Sequence, residues 1–127
     1  MKTINIGLCG LGTVGGGVYT VLKRNADLIS ARAGSNILVS LIGTRSFNPH
    51  CDIASTKISD DVLQVAEDPS IDIVVELIGG TSVAFDLIMS AIRNRKHVVT
   101  ANKALIAERG EEIFLEAEKN QVVVAFE

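Results

Sequence analysis

The chain has 127 residues, of which 47% are hydrophobic and 21% charged, a composition typical of one globular domain and unlike that of a disordered segment. Twelve basic and fifteen acidic residues give a net charge of −3, which leaves no basic excess for phosphate backbones, so we expect no nucleic-acid partner. No apolar run is long enough for a membrane span, and two cysteines are too few for a disulfide scaffold. Glycines interrupt the N-terminal apolar stretch, so we do not expect this stretch to be a signal peptide. We therefore expect a cytoplasmic protein with no membrane contact.

The first half of the chain contains two apolar runs that predict strands and two stretches that predict helices. The predicted elements are, in order, a strand over Ile4–Cys9, a helix from about Thr13 to about Ile29, a strand over Ile37–Ile42, a loop over Thr44–Thr56 and a short helix over Asp61–Glu67. Gly34 and Ser35 are expected to end the long helix, and Pro69 is expected to end the short one.

The second half continues the alternation of strands and helices. Its predicted elements are a strand over Ile71–Ile78, a helix through Ala84–Ile92, a strand over His97–Thr100, a helical segment broken near Gly110 with Ile113, Phe114 and Ala117 facing inward, and a strand over Val122–Phe126. This alternation predicts an α/β fold built of βαβ units. We expect a single domain over residues 1–127: a Rossmann-type doubly wound parallel sheet of about five to six strands, with helices on both faces.

A glycine motif lies between the first predicted strand and the first predicted helix. It has the form G-x-G-x-x-G and consists of Gly10, Leu11, Gly12, Thr13, Val14 and Gly15. In this context the first glycine permits a tight turn, the second lets a pyrophosphate approach the backbone, and the third lets the helix pack closely on the sheet. The helix N-terminus adds unpaired N–H groups for the phosphates. The motif therefore predicts a dinucleotide site, and the alternative is a glycine-rich turn without a ligand.

The end of the second predicted strand bears on which dinucleotide is bound. Dinucleotide-binding domains that use NAD usually have a carboxylate there for the ribose hydroxyls, whereas this sequence reads Gly43-Thr44-Arg45-Ser46. A guanidinium and two hydroxyls suit a 2′-phosphate, which a carboxylate would repel. The segment favours NADP over NAD, with Arg45 as the phosphate ligand. The alternative is that Arg45 is a solvated loop residue.

Four segments together resemble the N-terminal nucleotide-binding region of homoserine dehydrogenase. They are GLCGLGTVGGGV at 7–18, VVELIGG at 74–80, HVVTANKALIA at 97–107 and VAFE at 124–127. The resemblance implies NAD(P)H-dependent reduction of L-aspartate 4-semialdehyde to L-homoserine, a step of threonine and methionine biosynthesis. It also implies a small-molecule substrate, a homo-oligomeric full-length protein, and a truncated chain here that lacks the substrate-binding and dimerisation region and is inactive alone.

Lys103 is the candidate catalytic residue. It lies just beyond the predicted strand His97–Thr100, at the carboxyl edge of the sheet where α/β proteins bind ligands. An ammonium group there can contact a nicotinamide, stabilise a developing alkoxide or relay a proton. The resemblance implies that this lysine lies beside the nicotinamide and the substrate carbonyl. The alternative is a surface lysine near a helix start.

Further polar and glycine residues follow the last long strands at the same edge. The candidate cofactor-binding residues there are Gly79, Gly80, Thr81, Thr100, Asn102 and Lys103. Residues 79–81 are expected near the nicotinamide ribose, with a plain strand-to-helix turn as the alternative, and Asn102 can equally cap the next helix. Glu76 lies inside an apolar strand, where a carboxylate needs partners, and the sequence assigns it no role.

The resemblance also implies a monovalent-cation site in the full-length protein, to which Glu127 would belong. His50, Cys51 and His97 lack the further ligands of a zinc site. Two other functions stay open: a nucleotide-sensing Rossmann module without chemistry, and another NADP-dependent reductase of aldehydes or acyl phosphates. Reduction of an acyl phosphate would need a thiolate, and neither Cys9 nor Cys51 has a convincing position for one.

Overall fold

Six parallel strands form one sheet in the computed structural model, which describes residues 2–10, 25–44 and 56–126. The strands are β1 (Thr3–Cys9), β2 (Asn36–Gly43), β3 (Lys57–Ser59), β4 (Ile73–Glu76), β5 (His97–Thr100) and β6 (Val124–Phe126). Their order in the sheet is β3-β2-β1-β4-β5-β6, so the direction of winding reverses between β1 and β4. This is the strand order of the Rossmann fold, and the reversal is its topological switch point. The predicted fold class is confirmed.

Four helices lie in the described residues, and local chemistry sets several of their ends. They are α1 (Ala26–Ala33), α2 (Val62–Glu67), α3 (Val83–Arg93) and α4 (Lys103–Asn120). Gly34 ends α1 in the left-handed conformation at φ 70°, and the side chain of Asp61 caps α2 by accepting a hydrogen bond from the Leu63 N–H. None of these helices is long and apolar enough to cross a membrane.

The core lies on both faces of the sheet because side chains alternate along each strand. In β4 the buried Val74 belongs to a cluster with residues of α2, α3 and α4, whereas Val75 belongs to a second cluster with residues of β1 and β2. Fully buried members such as Leu8 and Leu87 each stabilise the fold by about 1.5–3 kcal/mol. The two clusters hold the carboxyl ends of the strands in a fixed arrangement.

The boundaries differ from the predictions at several places. The strand predicted over Ile71–Ile78 is shorter, Ile73–Glu76, because the chain leaves the sheet before Gly79. Strand β3 was not predicted, because its three residues are too few to show the alternation of apolar and polar side chains that is typical of a strand. The predicted break near Gly110 is confirmed, since Arg109 has non-helical angles inside α4.

Two other predictions have mixed outcomes. Phe114 was expected to face inward but is 38% exposed, and it contacts the ring of Phe126 instead of entering the core. Most of the helix predicted from Thr13 to Ile29 lies outside the described residues, as does the loop at 45–55. Helix α1 begins at Ala26, after Asn25, and ends at Ala33, beyond the predicted end at Ile29.

Candidate nucleotide-binding site

A cleft of about 680 Å³ opens at the carboxyl edge of the sheet, beside the switch point between β1 and β4. Its described lining comes from the segments that follow β1, β2, β3 and β4 and includes Gly10, Thr44, Asp60, Asp61, Leu77, Gly79, Gly80, Thr81 and Asp86. Both the volume and the position are those of a cofactor site in an open α/β sheet. The structure thus brings four of the predicted site residues, Gly10 and 79–81, to one cleft.

Gly10 forms the turn out of β1, and only glycine fits there. Its φ is 99°, and a Cβ atom at this position would lie 2.9 Å from both the carbonyl carbon and the oxygen of Leu77. Its N–H donates to the Gly43 carbonyl oxygen at 2.8 Å, so the turn is tied to the end of β2. This is the tight turn predicted for the first glycine of the motif. The remaining motif residues, at 11–15, and Arg45 lie outside the described residues.

The segment after β4 exposes its backbone to the cleft. Gly79 and Gly80 have φ values of 76° and 73°, and no atom lies within 4 Å of where their Cβ atoms would be. Thr81 lines the same cleft, and α3 then begins without a side-chain cap at Ser82. Uncapped N–H groups at a helix start and open backbone at two glycines are suited to a polar or anionic ligand.

Glu76, which the sequence left without a role, is held by three hydrogen-bond donors at the end of β4. Its side chain is fully buried. One carboxylate oxygen accepts from the N–H groups of Ile78 and Gly79, at 3.0 and 3.3 Å, and the other accepts from the Thr100 hydroxyl at 2.5 Å. Hydrogen bonds of this kind offset the desolvation of a buried carboxylate.

Thr100 and Asn102 continue these contacts across the end of β5. The Thr100 hydroxyl oxygen accepts from the Asn102 N–H at 3.0 Å, and the Asn102 side-chain oxygen accepts from the Leu105 N–H at 3.1 Å. The capping role considered for Asn102 is therefore confirmed. Its side-chain amide also donates to the Gly80 carbonyl oxygen at 2.5 Å, a link that the sequence did not predict. Cofactor contacts by Thr100 and Asn102 stay predictions.

Lys103 is the first residue of α4 and is exposed. Its backbone N–H donates to the Ala101 carbonyl oxygen at 3.2 Å, and among the described residues no carboxylate forms an ion pair with its side chain. The Asn102–Gly80 hydrogen bond fixes the start of α4 next to the loop after β4. Within the described part of the chain, an ammonium group without an ion pair thus lies at the carboxyl edge of the sheet, as the sequence predicts.

Three carboxylates of the cleft lining were not predicted as site residues. Asp60 and Asp61 follow β3, and Asp86 lies in the first turn of α3. The strand that brings the first two to the cleft was itself missed, so no sequence signal placed them there. They make this part of the cleft lining acidic.

Cys9 is buried at the end of β1, as predicted. Burial, with a smaller contribution from the nearby Glu76 carboxylate, raises the pKa of Cys9 to about 12. A thiol in this state is not a nucleophile at neutral pH, which weighs against the chemistry of an acyl-phosphate reductase. Cys51, His50 and Glu127 lie outside the described residues, within which no cluster of three metal-ligating residues occurs.

The strand order, the cleft at the switch point and the glycine turn define a dinucleotide-binding domain of the Rossmann class. Comparisons with known proteins identify the family. The family described as "Homoserine dehydrogenase, NAD binding domain" matches residues 10–127. The chain belongs to the homoserine dehydrogenase family.

Individual relatives match all or most of the chain. A homoserine dehydrogenase of Pseudomonas aeruginosa is 56% identical over 127 residues, which are 100% of this chain and 29% of the relative. One of Methylobacillus glycogenes is 54% identical over 84% of this chain and 26% of its own length. The crystal structure of a homoserine dehydrogenase from Thiobacillus denitrificans superposes with a TM-score of 0.93 at 51% identity, covering 100% of this chain and 30% of that one. The chain thus spans about three tenths of the length of these relatives.

Proposed function

We propose that the chain is the cofactor-binding part of a homoserine dehydrogenase, which interconverts L-homoserine and L-aspartate 4-semialdehyde by hydride transfer. The observation that carries the proposal is the cleft at the switch point, where the turn at Gly10 meets the loop at 79–81 and an exposed lysine lies at the same edge. Family membership supports the choice of reaction. A sensor module without chemistry would not need Lys103 at that edge.

The residues of the cleft fit a dinucleotide. Gly10 lines the cleft and makes the tight turn that leads into the rest of the glycine motif, whose second glycine would let a pyrophosphate approach the backbone. The open glycines at 79 and 80 leave room for a ribose and a nicotinamide, with Thr81 in the same lining and the Asn102 amide bound to the Gly80 carbonyl oxygen. In this arrangement the dinucleotide crosses the carboxyl edge of the sheet at the switch point.

The chemistry divides between cofactor and protein. When bound, the reduced nicotinamide supplies the hydride for the carbonyl carbon of the semialdehyde. Lys103 holds the carbonyl oxygen and stabilises the negative charge that develops on it, and the same ammonium group can supply the proton that completes the alcohol. The segments that the relatives have beyond this domain would contribute the substrate contacts and the contacts of a homo-oligomer.

The proposal extends to the setting of the enzyme. We place it in the cytoplasm, with a small-molecule substrate and no nucleic-acid partner, as one domain over residues 1–127 followed by the parts that its relatives possess. A monovalent-cation site that includes Glu127 belongs to the same proposal.

For the cofactor we propose NADP in preference to NAD. Thr44 lines the cleft at the end of β2, and Arg45 follows it in the chain, where the guanidinium can pair with a 2′-phosphate. Asp60 and Asp61 line the same cleft and would repel that phosphate. The preference therefore depends on Arg45 outweighing these carboxylates.

Replacing Asp60 with asparagine is expected to tighten NADP binding about two- to fivefold, the range of one exposed charge pair, and to leave NAD binding nearly unchanged. The reason is that only NADP carries the additional phosphate near the acidic lining. Calorimetry with both cofactors gives the ratio of the two Kd values. Glu118→Gln removes the same charge from the far end of α4 and serves as the matched control. An unchanged ratio in Asp60→Asn would contradict this placement of the 2′-phosphate.

The chain alone is expected to bind NADPH without turning over substrate, since it spans about three tenths of its relatives and the substrate contacts are assigned to the remainder. The test adds aspartate 4-semialdehyde and NADPH to the chain and follows the absorbance of the reduced cofactor, with binding measured separately by calorimetry. Turnover at enzyme level by the chain alone would refute the assignment of substrate contacts. Absence of any dinucleotide binding would refute the proposed function itself.

A further inference from the structure

We infer that Glu76 is a positioning residue for the nicotinamide end of the cofactor site, where it holds the loop after β4 against the start of α4. The inference rests on the proposed function, because it names the part of the dinucleotide that these two segments serve. Glu76 itself is fully buried below the cleft lining and is given no contact with the cofactor or the substrate.

The first observation is that Glu76 joins two separate segments. One of its oxygens accepts from the N–H groups of Ile78 and Gly79, and the other accepts from the Thr100 hydroxyl, 24 residues away. All three partners are donors, so the side chain serves as an acceptor at both oxygens. Charge-assisted hydrogen bonds in a buried setting are the strong ones.

The second observation is that these contacts form a closed ring. The Thr100 oxygen accepts from the Asn102 N–H, and the Asn102 amide donates to the Gly80 carbonyl oxygen. Gly80 adjoins Gly79, whose N–H returns to Glu76. The ring therefore connects the loop that faces the cleft to the residue preceding Lys103.

The third observation is that side-chain packing cannot fix this loop at its glycines. No atom lies within 4 Å of the Cβ positions of Gly79 and Gly80, and both residues have the positive φ that glycine adopts readily but does not enforce. Packing holds Leu77 and Ile78 at the start of the loop, and the hydrogen bonds from Glu76 and Asn102 restrain the backbone at the two glycines that follow. Without Glu76 the loop would adopt other conformations, and cofactor binding would have to select one of them.

The test compares two probes on the 127-residue chain. NADP⁺ reaches the nicotinamide end of the site, whereas 2′-phospho-ADP has the same adenosine, 2′-phosphate and diphosphate but lacks the nicotinamide and its ribose. Glu76→Gln keeps the side-chain volume but presents one acceptor oxygen to three donors. It is expected to weaken NADP⁺ binding about tenfold, the loss of one charge-assisted hydrogen bond, and to change the affinity for 2′-phospho-ADP less than about twofold. Glu118→Gln, with the same chemical change at an exposed position, is the control.

A second pair of variants covers the case in which Glu76→Gln does not fold. Thr100 is 1% exposed and its hydroxyl donates to Glu76, so Thr100→Val acts on the link between Glu76 and Asn102 and is expected to reproduce the selective loss of NADP⁺ affinity. Thr100→Ser restores the hydroxyl and is expected to recover most of that loss. A shape or stability effect of the substitution would instead lower the affinity for both probes.

The outcomes distinguish failure of the positioning role of Glu76 from failure of the proposed function. Equal losses for both probes, or no loss for either, would overturn the positioning role of Glu76 and leave the proposed function intact. Failure of the unaltered chain to bind either probe would overturn the proposed function. A loss confined to NADP⁺, recovered by Thr100→Ser in the second pair, supports the inference.

Discussion

Replacement of Lys103 with alanine is expected to lower kcat about 100-fold or more in the protein of full family length, which is the range for loss of an acid–base or electrostatic group. The side chain lies at the carboxyl edge of the sheet at the start of α4, with no ion pair among the described residues, so its charge is available to a substrate oxygen. The Kd of NADPH should change much less than kcat, because the ammonium group acts mainly on the charge that develops during the reaction. Steady-state kinetics and calorimetry give the two quantities.

The matched control is Lys119→Ala, which removes the same side chain from the last turn of the same helix. Both lysines are exposed, so neither substitution should alter the thermal unfolding midpoint greatly. The control should retain normal kcat. A Lys103→Ala enzyme with unaltered kcat would show that the residue is an ordinary surface lysine.

Replacement of Arg45 with alanine is expected to weaken NADP binding about 10- to 100-fold and to leave NAD binding nearly unchanged. A guanidinium paired with a phosphate contributes roughly 1.5–3 kcal/mol, and each 1.4 kcal/mol corresponds to about a tenfold change in Kd. Arg45 follows Thr44, which lines the cleft at the end of β2, and NAD lacks the 2′-phosphate that Arg45 would bind. Calorimetry with each cofactor on the chain measures both effects.

The salt dependence of the same titrations adds a second criterion. If the pair of Arg45 and the 2′-phosphate is exposed to solvent, salt screens it, and the difference in NADP affinity between the unaltered chain and the Arg45→Ala variant should shrink at high salt. Arg32→Ala, which changes an exposed arginine in the last turn of α1, is the control for a general loss of positive charge. Equal losses for NAD and NADP would mean that Arg45 acts through loop structure and would remove the main support for the NADP preference.

The long elements of the fold could be predicted because each has a strong period. The apolar run around Val74 and the spacing of Leu87 and Ile88 led to β4 and α3, and the structure buries all three side chains. Strand β3 has only three residues, and its place in the sheet comes from pairing with β2, which no local pattern reveals. The prediction that Phe114 faces inward was wrong for a related reason. Helical spacing shows which residues share a face, but the width of the surface that covers the helix decides how much of that face is buried.

The candidate site residues that could be predicted are those whose role follows from their place in the chain. Residues whose role depends on contacts between distant segments could not be predicted. Gly10 was predicted because the tight turn of the motif requires glycine, and the glycines at 79 and 80 were predicted because they follow a strand at the edge where α/β sheets bind ligands; all three have positive φ. The role of Glu76 was not found, since its partner Thr100 lies 24 residues away and meets it only through the pairing of β4 with β5. The carboxylates after β3 were missed together with that strand.

The most direct test of the account is to map NADPH binding on the isotope-labelled 13.5 kDa chain by amide chemical shifts. The account predicts shifts at the carboxyl edge of the sheet, at Gly10, Thr44, Gly79, Gly80 and Lys103. The opposite edge contains a second cleft of about 500 Å³ whose lining includes Lys2, Arg95 and His97, and these residues should not respond. Shifts confined to the opposite edge, or none at saturating NADPH, would contradict the account.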